Sequence, residues 1–485
     1  MMLVFVHAEN GPVYLEQATR ARRGSAQHAC ASLERAEPVQ SDDSTKKLTI
    51  HGALEKVLAG EDLSCAEAEA IFSGILLGGA TDPQIAALMM GLMMKGLVKD
   101  EQAGIDAARQ KHLTGYSERW LTRDQEHSIN DFEATYMMIA GGEDLSRKAA
   151  EFAMSEILSG RADPVAIARF LAALRFKGET VDELVGFATA MRRHAMPIFP
   201  EGHARGDEPL VDTAGTGGDA RGTFNISTAA AFVIAGAGVR VAKHGNRAIS
   251  SSCGSADVLE ALGVTIDLAP ERVGRAIEEV GIGFLFAPAV HAAMRHAMPV
   301  RRELKVRTVF NLLGPLTNPA GASAQIVGVY DAGLTELLAR ALGELGVRRA
   351  FVVHGADGLD EISISDETAI AELRDGAVQS YTVVPEDFGL ARAPLEKIRG
   401  GDAPRNAHII DRILGRHGAP HEHGPHRDIV LANSAPALVA AGRAADFLEG
   451  VRVAAESIDS DAARAKLDAL IEFSRSEKPR GQTAS

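Results

Sequence analysis

GTGGDARGTFNIST, residues 215–228, follows an apolar run, PLVDTA, and runs into an alanine-rich one, STAAAFVIAGAG (227–238). Apolar and β-branched residues ahead predict a strand, and the stretch behind has the length and spacing of a helix. The same alternation continues down the chain. VRVAKH, QIVGVY and RAFVVHG read as strands, while SADVLEALG, PERVGRAIEEVG and LTELLARALGELG read as amphipathic helices. This predicts an α/β domain with a central sheet flanked by helices. Ligands in such sheets bind where strand ends meet helix starts. A glycine corner at that junction can turn several backbone N–H groups toward one oxyanion, and the helix behind adds the positive end of its dipole. The corner is thus a candidate phosphate cradle. Taken alone, GTGGD also fits a plain glycine turn with an ordinary helix cap. Asn225, Ser227 and Thr228 fall at the helix start, where their side chains can cap it or bind a phosphate or metal.

Two later segments strengthen the cradle. VRVAKHGNRAISSSCGSADVLEALG (239–263) again runs strand, cation-bearing loop, hydroxyl-rich turn, helix. Lys243 supplies a point charge suited to phosphate, and Ser251, Ser252 and Ser255 bring donors to a second helix start. His244 by itself reads as a packed or solvated histidine, and Cys253 as a small residue in a tight turn. HGADGLDEIS (354–363) puts Asp360 and Glu361 side by side after the apolar run AFVV. Magnesium is commonly held by one or two carboxylates together with substrate phosphates.

Upstream, from residue 49 to about 200, apolar residues recur at helical spacing and the chain repeats itself. ALEKVLAGEDLS followed by ATDPQIAALMMGLMMKG is matched by ATYMMIAGGEDLS followed by RADPVAIARFLAALRFKG. The shared GEDLS begins at Gly60 and at Gly142, an offset of 82 residues. Each copy predicts a few short helices, with Asp82 or Asp163 as N-cap and Pro83 or Pro164 at the first helical position. The Met-rich run reads as helix core.

Composition limits the partners. The 485-residue chain is 46% hydrophobic and 24% charged, with a net charge of −14 and only 5% aromatics. That balance argues against nucleic acid, whose binding rests on neutralising phosphates and on stacking. Cys30, Cys65 and Cys253 are too widely spaced for a disulfide framework or zinc knuckle, so a reducing compartment is expected. The opening MMLVFVHAENG is too short an apolar patch for a membrane span. Glu16, Glu34 and Glu37 weigh against a mitochondrial presequence, despite Arg20, Arg22 and Arg23. The expectation is a cytoplasmic protein with no membrane contact.

Six ordered motifs carry a resemblance to a known family. GTGGD (215–219), the NxST of Asn225 to Thr228, KHGNR (243–247), GSADVLEALG (254–263), RTVFNLLGPLTNPA (307–320) and GLDEIS (358–363) together resemble the anthranilate phosphoribosyltransferases of tryptophan biosynthesis. The likeness spans roughly residues 132 to 475 and includes VPEDFGL, GGDAPRNA and HRDIVLANSA. It implies a small helical domain, a larger α/β domain of the nucleoside phosphorylase/phosphoribosyltransferase type, and a homodimer formed through the helical part. The implied reaction moves phosphoribose from 5-phosphoribosyl 1-pyrophosphate onto the amine of anthranilate. By the same resemblance, Gly215, Gly218, Asp219, Thr223, Asn225, Ile226, Ser227, Thr228, Lys243, His244, Gly245, Asn246, Arg247, Ala248, Ile249, Ser250, Ser251 and Ser255 line the phosphoribosyl pyrophosphate site. Ser227, Asp360 and Glu361 bind Mg2+; Gly215, Asn246 and Arg301 meet anthranilate. His291, His244 and Pro315 line the approach. Arg301 and Lys243 are expected to act by positioning and charge stabilisation, with no general base assigned.

The chain also departs from the family pattern. The resemblance makes residues 132–205 the usual helical domain and 206–478 the α/β domain. Residues 1–47 become a poorly structured extension, 48–116 an extra helical repeat, 117–131 a linker and 479–485 a tail. The extra repeat could pack beside the usual helical domain, alter or block the dimer, or bind a partner. LGRHGAPHEHGPHRD, with His417, His421, His423 and His426, reads as an inserted solvated loop. Two other functions fit the fold class: a pyrimidine nucleoside phosphorylase-like enzyme, and a non-catalytic nucleic-acid-binding relative.

Overall fold

The computed structural model describes residues 48–113, 131–200, 208–219, 221–248, 252–415 and 423–476. The expectations for the N-terminal extension, the C-terminal tail, most of the linker, Ile249, Ser250, Ser251, His417 and His421 lie outside them.

The repeat becomes two sets of four helices. The first is α1 (Ile50–Leu58), α2 (Cys65–Leu76), α3 (Asp82–Lys95) and α4 (Lys99–Leu113). The second is α5 (Asp131–Ala140), α6 (Arg147–Leu158), α7 (Pro164–Lys177) and α8 (Val181–Arg193). The copies match down to buried polar groups. Glu101 and Glu183, 82 residues apart, are fully buried. Each accepts an amide N–H from the loop between the first two helices of its copy, Leu63 or Leu145, at 2.9 Å, and pairs with Lys95 or Lys177 at 3.0 Å. A buried carboxylate is tolerated because its charge and lone pairs are both met. Gly104 and Gly186 repeat as well: a Cβ at either would press on the backbone of α2 or α6, which is how α4 and α8 approach so closely. One cap departs from expectation. Thr81 caps α3, in extended backbone, through a reciprocal pair with Gln84, so Asp82 is already helical and Pro83 follows it. Asp163 does cap α7, and Pro164 opens that helix. The two copies meet through equivalent helices, α3 along α7. In the Met-rich run Met90 and Leu92 are buried, whereas Met93 is exposed.

The α/β region follows as β1 (Leu210–Asp212), α9 (Ile226–Gly236), β2 (Arg240–Gly245), α10 (Ser255–Leu262), α11 (Pro270–Glu279) and β3 (Ile282–Phe286). Next come α12 (Ala287–Val290), α13 (Met298–Leu304), α14 (Val309–Leu316), β4 (Ala324–Gly328), α15 (Leu334–Glu344) and β5 (Arg349–Gly355). The chain closes with β6 (Thr368–Arg374), β7 (Ala377–Val383), α16 (Ala403–Leu414), α17 (Pro425–Ala440), α18 (Phe447–Asp459) and α19 (Ala462–Arg475). The seven strands order as β3-β2-β1-β4-β5-β6-β7. β1 to β5 are parallel, Val211 pairing with both Val241 and Ala324, and β6 and β7 add an antiparallel edge. β3, β6 and β7 extend the sheet beyond the four expected strands.

Strand alternation separates two cores. On β5, Ala350 and Val352 join the core shared with α13, α14, α15 and the helical copies. Phe351 and Val353 face the core of α9, α17, α18 and α19. The helical part is thereby continuous with one face of the sheet, while the glycine corner opens where β1 and β4 end.

Candidate active site

The corner after β1 is built by close backbone approach. Thr216 N–H donates to Gly328 O at 2.8 Å, at the end of β4. A Cβ on Gly215 would lie 3.2 Å from Asp360 Oδ2, and one on Gly328 would fall inside the Asp360 carbonyl. Gly217 and Gly218 hold φ of 65° and 85°, the left-handed region that glycine enters at no cost. These contacts seat the 358–363 loop against the glycine loop. Thr213, Gly215, Ser227, Gly328, Asp360 and Glu361 line one small cleft.

Charge is concentrated there. Burial, the nearby Asp219 and a shared hydrogen bond with it push the Asp360 carboxyl up to about 7, although Gly217 N–H donates to it. Burial and the negative charge of Asp360 raise Glu361 well above the usual range, against the pull of Lys243 and an N–H from Ser227. Lys243 is itself buried, which lowers its pKa, and its Nζ donates to Thr213 O at 3.0 Å and Ser227 Oγ at 3.3 Å. Crowded acids with unsettled charge beside one hydroxyl suit a divalent cation that arrives with phosphate oxygens. Among the described residues, no group of three or more His, Cys, Asp or Glu side chains is arranged to hold a metal.

The second loop is tied to the first. Asn225 does not cap α9: its Nδ2 donates to Cys253 O at 3.1 Å and its Oδ1 accepts from Asn406 of α16 at 3.0 Å. Asp257 Oδ2 accepts from Ala248 and Gly254 N–H, closing the loop around Asn246. Ser255 Oγ is spent on the Asn246 backbone, and Arg247 pairs with Asp257 and Glu260 on α10. Ile226 is core, and Thr228 Oγ1 is buried without a partner among the described residues. Thr223 forms a lone bridge to Arg399. Cys253 is buried, its thiol pushed up to about 11, as befits a residue of the turn alone. His426 does not sit in a solvated loop; it belongs to α17 and meets the Phe224 ring edge-on at 5.3 Å between centroids.

Arg301 rises from α13 over the Phe310 ring, 5.2 Å from its centroid. Its described polar contact is the Met298 sulfur at 3.8 Å, and burial lowers its pKa to about 10. A half-buried guanidinium with no carboxylate bound to it among the described residues has the chemistry to take an anion. His244 and His291 lie with ring centroids 5.1 Å apart, both Nε2 atoms buried and without a partner among the described residues. Burial drives His291 down to about 3, so it is neutral at physiological pH. Pro315, on α14, holds Gln325 through its carbonyl.

The description "Glycosyl transferase family, a/b domain" matches residues 207–464. Its companion, "Glycosyl transferase family, helical bundle domain", matches twice, at 52–112 and 137–195. The anthranilate phosphoribosyltransferase of Symbiobacterium thermophilum is 58% identical over 70% of this chain and 97% of its own length. The chain belongs to the anthranilate phosphoribosyltransferase family. The family member of Solibacter usitatus is 57% identical, over 70% of this chain and 98% of its own. Among solved family structures, that of Thermus thermophilus has 46% identity and a TM-score of 0.65, covering 70% of this chain and 99% of that one. The Saccharomyces cerevisiae enzyme in complex with PRPP and Mg has 28% identity and a TM-score of 0.63, covering 72% and 100%. Its complex with 4-fluoroanthranilate is equally similar in fold, at 27% identity and a TM-score of 0.63 over 72% and 100%.

Three residues of this family member escaped the sequence. Arg307 Nη2 donates to Gly218 O at 2.6 Å while its guanidinium stacks on Tyr330, 4.1 Å from the ring centroid. Asp212, fully buried, accepts His244 N–H and Asn318 Nδ2, locking β1 to β2 and to the 317–320 turn. Gly328 permits the approach of Asp360. Arg307 opens the RTVFNLLGPLTNPA motif, and Asp212, a carboxylate within an apolar strand, was itself a signal.

Proposed function

We propose that this chain transfers the phosphoribosyl group of 5-phosphoribosyl 1-pyrophosphate to the amine of anthranilate, forming the N–C1′ bond as the C1′–O bond to pyrophosphate breaks. The observation that carries it is convergence. Asp360 and Glu361 line one cleft with Thr213 and Ser227, Gly217 N–H donates to Asp360, and Lys243 bonds Thr213 and Ser227 from behind, while Arg301 has no counter-charge among the described residues. The names of the relatives favour it over a nucleoside phosphorylase or a nucleic-acid-binding protein.

Anthranilate offers a weak aryl amine nucleophile, so the leaving group bears the burden. Ser227, Asp360 and Glu361 would hold Mg2+, which would supply charge neutralisation to the departing pyrophosphate. The glycine-loop amides and Lys243 add donors fixed in advance, which need no reorganisation as charge develops. Arg301 takes the anthranilate carboxylate and aims the amine at C1′. Asn246 and Gly215 complete the acceptor pocket, and His244, His291 and Pro315 form an uncharged approach. Gly218, Asp219, Thr223 and the 225–228 and 243–255 segments surround the phosphoribosyl pyrophosphate. Residues 132–205 and 206–478 are the working domains, with 48–116 added to them. A cytoplasmic homodimer belongs to the same proposal, and because α7 already packs on α3, its interface uses another face.

The decisive experiment follows anthranilate fluorescence in the purified chain with phosphoribosyl pyrophosphate, with and without Mg2+. Metal-dependent loss of fluorescence is expected; cleavage of thymidine or uridine by phosphate, with anthranilate untouched, would overturn the assignment.

A further inference from the structure

The first helical copy meets the α/β region at the end of the helix bearing Arg301. α13 stops where Lys305 turns left-handed, at φ 52°. A helix end leaves its last carbonyls without intrahelical donors. One of them, Glu303 O, takes Gln84 Nε2 at 2.7 Å and His51 Nε2 at 3.1 Å, both from the first copy. His51 donates to that carbonyl as its Nε2–H tautomer; the same Nε2 lies 3.3 Å from Gln84 Nε2, which would donate to it in the other tautomer. Thr81 Oγ1 adds a bond to Glu303 Oε2 at 2.7 Å. Nearby, Glu55 of the first copy pairs with Arg175 of α7 at 2.7 Å, and Arg175 donates to Arg307 O at 2.7 Å. Arg307 then reaches the glycine loop at Gly218 O.

The copies diverge at these positions although they agree at their own buried groups. Adding 82 to His51, Thr81 and Gln84 gives Glu133, Asp163 and Ala166. The pseudo-symmetric counterpart of Glu55 and Arg175 is Met137 and Met93, which are 53% and 60% exposed. The side of the α3/α7 contact that faces α13 is therefore polar and engaged, and the opposite side is exposed methionine.

We infer that the first helical copy is a positioning part of the acceptor site: Gln84 and His51 fix the C-terminal turn of α13 and so the reach of Arg301 toward the anthranilate carboxylate. This rests on the reaction proposed above. Small displacements of an aligning group cost rate and affinity for the substrate it aligns. Gln84 also caps α3 through Oε1, bonded to Thr81 N–H at 3.0 Å, which lets two variants separate positioning from folding. Gln84→Glu keeps that acceptor and loses the donor; Gln84→Met loses both.

Initial rates and thermal melts of the full chain test it. Both variants are expected to raise KM for anthranilate about five-fold, with kcat and KM for phosphoribosyl pyrophosphate within about two-fold, while the larger drop in Tm is confined to Gln84→Met. His51→Phe, which leaves the α3 cap intact, is expected to shift the same KM and carries the test if Gln84→Met does not fold. An unchanged anthranilate KM in Gln84→Glu and His51→Phe, or equal shifts for both substrates, overturns the inference and leaves the reaction standing. No turnover of anthranilate by the unaltered chain removes the reaction itself.

Discussion

Arg301 and the Asp360–Glu361 pair are two opposite solutions to the same problem, a charge held out of water before its partner arrives. Arg301→Ala is expected to raise KM for anthranilate roughly ten-fold or more and that for phosphoribosyl pyrophosphate less than about two-fold; equal shifts in steady-state rates would remove Arg301 from the acceptor pocket. The acids give a pH signature. Their folded pKa values lie above the ordinary carboxylate range, Asp360 at about 7. The unfolded chain therefore ionises first, and these groups subtract stability as pH rises from the ordinary range through about 7. A cation needs them ionised. Added Mg2+ and phosphoribosyl pyrophosphate should raise Tm more at pH 8 than at pH 6, and Asp360→Asn should stabilise the unliganded chain at pH 8 while abolishing the metal-dependent gain. Lys243, Asp360 and Glu361 were legible because each is a charge at a predicted strand end. Arg307 was not, since an arginine's partner is set by where its long side chain lands. Asn225 was expected at the site from its place before α9, but its hydrogen bonding was not legible, because its amide joins the 253 turn to α16, which sequence cannot bring together.

At the scale of elements, what the sequence concealed was decided by neighbours. TAIAELR has the composition of a helix, yet it becomes β6 because β5 offers it a full antiparallel edge from Arg349 to Gly355. IGFLF is a short apolar run that periodicity alone cannot assign. The duplicated helices, by contrast, were plain from their spacing, and the loop-to-helix corners from their glycines. Gly104→Ala should cost roughly 1–3 kcal/mol, because its Cβ meets the α2 backbone, which cannot move aside as a side chain can. Urea unfolding checks it, and a neutral result would mean that α4 shifts freely on α2. Gly328→Ala is expected to abolish metal-dependent turnover by displacing the Asp360 backbone, which initial rates at saturating Mg2+ would reveal.

For the molecule as a whole, Arg175 joins three bodies: the first helical copy at Glu55, its own helix α7, and the α/β region at Arg307 O. Arg175→Met is expected to lower stability by roughly 1–2 kcal/mol in urea melts and to raise KM for phosphoribosyl pyrophosphate, because Arg307 would lose its anchor behind Gly218. A change in stability with both KM values intact would reduce Arg175 to a strut. The overall architecture followed from pattern, since repeat and α/β alternation occupy separate stretches. How the repeat docks did not follow, because α3 and α7 carry similar apolar faces and only polar residues around them, His51, Gln84 and Glu55, choose the orientation.

The α3/α7 contact also links two modules encoded in one polypeptide. Their encounter is unimolecular, so its occupancy is indifferent to how dilute the solution becomes. An enzyme that borrowed the same support from a separate molecule would falter as its concentration fell. Here the support to α13 is carried by every chain, so this contact is expected to survive dilution, which initial rates across a dilution series would check.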